Sequence, residues 1–159
     1  MNIELFLNYR EEPYEFDEYL DYDLPFMHNL LHLERYLDAG DYMNVNFCDE
    51  KKLMMYVFPD FLMAYADILA SITSAKEGYP ECGRVSSCEQ GVDFCLDYRL
   101  DGESILFEYS QGDDHVGDNC NFAGSSVRVS RTDYIKEWEK VFDLFEQAFK
   151  EKLGSVRKA

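Results

Sequence analysis

The run VDFCLDYRL-DG-ESILFEYS, residues 92–110, limits the fold more than any other stretch. Asp101-Gly102 is the pair that most readily adopts the positive φ angles of a tight hairpin turn, and strand-forming residues flank it on both sides. The chain therefore holds at least one antiparallel hairpin, and such a ribbon needs an apolar cover for one face. The segment TDYIKEWEKVFDLFEQAFKEKL, residues 132–153, offers one. Its Ile135, Trp138, Val141, Phe142, Phe145 and Phe149 form a single stripe at helical spacing.

Similar patterns recur upstream. NIELFLNYR alternates Ile3, Leu5, Leu7 and Tyr9 on one face and predicts a first strand. After Pro25, PFMHNLLHLERYLDAG has Phe26, Leu30, Leu33 and Leu37 at helical spacing and predicts a helix ending at Gly40. YMNVNF and KLMMYVF flank CDEK and predict a second hairpin. DFLMAYADILASITSAK, residues 60–76, predicts a largely buried helix with Asp60 as its N-cap. Residues 77–91 and about 111–124 read as loops, SSVRVS as a strand, and 154–159 as a flexible tail. The expectation is one α+β domain over 1–153, a mainly antiparallel sheet of five to six strands packed with three helices.

Charge narrows the partners. The net charge is −17 over 159 residues, and residues 1–50 alone hold 13 acidic against 2 basic residues. Such a chain lacks the cations that displace counterions from nucleic acid or anionic lipid, so neither is an expected partner. It attracts basic proteins instead. With 16% aromatic residues it has enough apolar surface to fold despite its charge. MNIELFLNYREEP has no basic start and only a short apolar run, and the most apolar window, 53–72, is broken by Pro59, Asp60 and Asp67. A cytoplasmic location follows as the expectation. Five cysteines without a C-x-x-C pair fit reduced thiols, with a Cys82–Cys88 bridge left open.

The charge is densest in EEPYEFDEYLDYD, residues 11–23: seven carboxylates, four aromatic rings and no cation. Pro13 makes its start irregular. Glu11, Glu12, Glu15, Asp17, Glu18, Asp21 and Asp23 would pair with Arg and Lys of a partner, while Tyr14, Tyr19 and Tyr22 add contact area at low entropy cost. The plainer reading is a solvated segment whose Phe16, Tyr19 and Leu20 pack on the core. GDDHVGDNC, residues 112–120, supplies Asp113, Asp114 and Asp118 as a second candidate contact patch. Its spacing does not match a calcium loop, and turn geometry alone accounts for its Gly and Asp. His28 and His32 lie one turn apart, a spacing that can grip a metal, but no third ligand is evident and no H-E-x-x-H is present. No phosphate cradle or nucleophile elbow is visible either, so no catalytic residue, metal or cofactor is assigned.

A small, strongly acidic α+β chain closing with SSVRVSRTDYIKEWEKVFDLFEQAFKEKL resembles the immunity proteins of bacterial toxin–immunity systems, including contact-dependent growth inhibition. The likeness lies in size, charge and layout and carries no diagnostic motif, so no site residue is transferred. It implies a non-enzymatic inhibitor that binds and blocks a basic partner, in particular a toxin nuclease domain. A regulatory or scaffold interaction domain, or a metal-dependent enzyme using His28, His32 or the 112–120 loop, are the competing expectations.

Overall fold

A computed structural model describes residues 1–15, 24–38, 40–89, 92–111, 121 and 124–154. Two antiparallel sheets and three helices share one core. The first sheet has the order β1-β2-β3, with β1 at Asn2–Phe6, β2 at Tyr42–Cys48 and β3 at Lys51–Tyr56. The second has the order β4-β5-β6-β7, with strands at Cys82–Glu89, Val92–Asp101, Ser104–Gln111 and Ser126–Ser130. Helix α1 (Pro25–Glu34) connects β1 to β2, α2 (Leu62–Glu77) joins the two sheets, and α3 (Arg131–Leu153) follows β7.

The α+β class and the three helices match the expectation, but the described residues form seven strands in two sheets rather than one sheet of five to six. The extra one is β4, which the sequence reads as loop. Its Gly, Ser and Cys residues have weak strand preference, and the strand forms because β5 offers a full ladder from Cys82↔Arg99 to Glu89↔Val92. Gly83 faces Tyr98, where a Cβ would fall 2.5 Å from the Tyr98 hydroxyl, so the close approach requires glycine. Ser86 donates its N–H and its hydroxyl to Asp67 of α2, at 3.1 and 3.0 Å, which satisfies part of this edge. On an extended strand Cys82 and Cys88 lie about 20 Å apart, far beyond disulfide reach. Cys48 and Cys82 are exposed free thiols.

The Asp101-Gly102 turn closes β5 onto β6 as expected, with Gly102 at φ 57°. Asp60 does not cap α2. It is buried and accepts the Tyr56 N–H at 3.0 Å, while α2 starts at Leu62 without a side-chain cap. Helix α2 ends at Gly78, φ 78°, whose N–H returns to the Ser74 carbonyl at 2.8 Å.

Helix α3 buries Tyr134, Trp138, Val141, Phe145, Ala148 and Phe149, with Ile135 and Phe142 packed beside them. Phe61 stacks between Trp138 and Phe145, and Phe47 meets Phe107 at 5.4 Å, which ties β2 to β6 across the sheets. A fully buried ring of this kind contributes about 1.5–3 kcal/mol from surface removed from water. Phe26 stacks on Tyr65 at 4.6 Å and meets Phe142, Phe145 and Phe149 edge-on. That single ring fixes α1 against α2 and α3. Among the described residues no helix is long and apolar enough to cross a membrane.

Candidate functional site

Helix α1 is shorter than its sequence pattern implies, and the difference creates the site. The periodicity runs to Leu37, yet the helix stops at Glu34 because residues 35–38 pair with the segment leaving β1. Tyr9 bridges Leu37, Arg10 donates its N–H to the Tyr36 carbonyl at 2.7 Å, and Asp38 donates to the Asn8 carbonyl at 2.9 Å. Farther on, the Tyr14 N–H reaches the Arg35 carbonyl at 3.1 Å, and Arg35 Nε returns to the Tyr14 carbonyl at 3.1 Å. These bonds hold residues 8–14 beside 35–38, and a cleft of about 390 Å³ lies where they meet Gly40, Asp41 and Phe58. Arg10, Tyr14, Glu34, Leu37, Asp38, Gly40, Asp41 and Phe58 line it.

Three carboxylates share this cleft with one guanidinium. Arg10 Nε donates to the Leu37 carbonyl at 2.9 Å and pairs with Asp38 Oδ1 at 3.2 Å, with its guanidinium 5.1 Å from the Tyr14 ring centre. Asp41 is the most enclosed member at 3% exposure. Its Oδ1 accepts from the Asn8 N–H at 2.7 Å and the Asn8 side-chain amide at 3.2 Å, and its carbonyl accepts from Val57 at 2.9 Å. Its Oδ2 is buried and has no hydrogen-bond partner among the described residues. Burial pushes the Asp41 carboxyl above its ordinary value and the charge of Asp38 adds to this, outweighing the Asn8 bonds and Arg10. Burial likewise raises Glu34, against the opposing bond from the Tyr14 hydroxyl. Tyr14 is raised by burial and by the Glu34 charge.

The cleft can therefore attract cations, and none of its described lining residues is a Ser, Thr, Cys or His that would serve as nucleophile or imidazole base. No family model, curated protein or solved structure matches the chain.

The structure places only part of the sequence-derived site. Tyr14 is in the cleft wall, and Glu11, Glu12 and Glu15 are exposed next to it. Asp17, Glu18, Tyr19, Asp21, Tyr22 and Asp23 lie outside the described residues, as do Asp113, Asp114 and Asp118. His28 is buried with its ring 4.4 Å from that of His32, and among the described residues no group of three metal-competent side chains forms. Arg10, Glu34, Asp38 and Asp41 were not singled out by the sequence. The signal for them is the LDAGD break, where a helical pattern meets Gly40 and two flanking aspartates.

Proposed function

We propose that this chain is a non-enzymatic, immunity-type inhibitor that binds and blocks a basic protein domain, a toxin nuclease domain in particular. The acidic cleft carries the reading: three carboxylates against one guanidinium, open to solvent, at the point where the acidic-aromatic segment begins. The rest of the charge distribution agrees, since the excess is concentrated in the first 50 residues and steers a cationic surface toward this face.

The test is capture from the native host with the tagged full chain at low and moderate salt, followed by mass spectrometry. One stoichiometric basic protein with nuclease activity, released when Glu15, Asp17, Glu18 and Asp21 are all changed to Lys, is the expected result. Undiminished capture by that charge-reversed variant would remove the 11–23 segment from the contact. A stoichiometric partner without toxic or nuclease activity would favour a regulatory or scaffold role.

A further inference from the structure

We infer that the cleft is a receptor for one arginine side chain of the partner, anchored on Asp41 Oδ2. The identity of the partner rests on the inhibitor reading above; the chemistry of the receptor rests on the cleft itself. A buried carboxylate oxygen with no donor is costly, and native interiors rarely leave one unmatched. Oδ1 is already held by the two donors of Asn8, so only Oδ2 remains for a ligand.

The surroundings select the kind of donor. Leu37 and Phe58 give apolar walls suited to the methylene stem of a long cationic side chain. Glu34 and Asp38 bring further carboxylates, so a planar fork with five N–H donors is matched better than the point charge of an ammonium. Arg10 shows that a guanidinium suits this environment, since its Nε meets Asp38 and the Leu37 carbonyl with the Tyr14 ring beneath. Among the described residues no three His, Cys, Asp or Glu side chains are grouped to hold a metal ion. A Cβ built on Gly40 meets no described residue beyond its chain neighbours within 4 Å, which leaves room for an entering side chain. Asp41 lines the cleft with its Oδ2 buried, so a ligand reaches it only after side chains of the wall move, and Arg10 and Asp38, 38% and 56% exposed, have the room to do so.

The test is titration of N-acetyl-arginine amide, N-acetyl-lysine amide and N-acetyl-citrulline amide into the 15N-labelled full chain, followed by NMR. Saturable shifts centred on the amides of Asn8, Arg10, Leu37, Asp38 and Asp41 are expected. The arginine derivative should bind tighter than lysine, and neutral citrulline should not bind. Asp41→Asn should weaken arginine binding about tenfold or more, the loss of one charge-assisted bond. Should that variant not fold, the double change Glu34→Gln with Asp38→Asn leaves the Asn8 bonds in place and should also weaken binding. An equal response to arginine and citrulline, shifts centred elsewhere, or unchanged binding in the folded variants would overturn the inference. Partner capture that is undiminished by Asp41→Asn would overturn the receptor inference and leave the inhibitor reading to rest on the captured partner's activity and the acidic excess of residues 1–50 alone. Arginine-amide binding without any captured partner would do the reverse.

Discussion

Replacing Asp41 with Asn should make the free protein more stable at neutral pH while weakening the site. In the native state Oδ2 has no donor, and the carboxyl is held above its ordinary value of 3.8 because burial and the Asp38 charge outweigh the Asn8 bonds and Arg10. The sign follows from linkage. A group whose folded pKa is raised costs stability wherever it is ionised, and that cost fades as pH falls through the folded value toward the unfolded one. An unsatisfied buried acceptor costs about 1–3 kcal/mol, and since Asp41 borders an open cleft the lower end, about 1 kcal/mol, applies. Asparagine keeps an oxygen for the Asn8 N–H and removes the buried charge that Asp38 repels. For a chain of this size about 1 kcal/mol is a rise of roughly 2–4 °C in Tm. Urea unfolding of both proteins at pH 7 and pH 4 checks it: the variant should lead at pH 7 and lose most of its lead at pH 4. A variant that is weaker at pH 7, or a lead that persists unchanged at pH 4, would refute the burial argument.

Glu137 should behave in the opposite sense. Burial pushes its carboxyl up, but Lys140, the Ile3 N–H and Lys136 together pull it below its ordinary value, so its contribution is present above about pH 4.5 and is lost on further acidification. Glu137→Gln should accordingly lower the urea midpoint at pH 7 and leave it nearly unchanged at pH 3. Arg131 donates through Nε to the Ala75 carbonyl at 2.9 Å and through a terminal nitrogen to the Gly102 carbonyl at 3.1 Å, which clamps the end of α2 to the β5–β6 turn. Arg131→Met should cost about 2 kcal/mol in urea unfolding with an unchanged m-value. Gly83→Ala should cost about 1–3 kcal/mol by the same measurement, because the new methyl meets the Tyr98 ring.

The elements most legible from sequence are those whose local signals agree with their tertiary setting. Asp101-Gly102 dictates its turn by backbone preference alone, and the α3 stripe is long enough for periodicity to be decisive. Strand β4 was hidden because its stability comes from β5, from Asp67 and from the fit of Gly83 against Tyr98, all non-local. The cleft was hidden for a related reason. Leu37 continues a helical period, yet it is worth more as the partner of Tyr9, and only that pairing brings Arg10, Asp38 and Asp41 together. Asp60 reads as a cap from its place before a helix, but burial turns it toward the Tyr56 N–H. The acidic excess near the N-terminus was visible at once, whereas which carboxylates are enclosed depends on contacts across more than 25 residues.

Whether this chain blocks a basic partner is decided by adding the purified chain in steps to the captured basic protein and following that protein's nuclease activity. Activity should fall linearly to zero at one equivalent, with the inhibition relieved by Asp41→Asn or by high salt. Full activity in the presence of excess folded chain would contradict it.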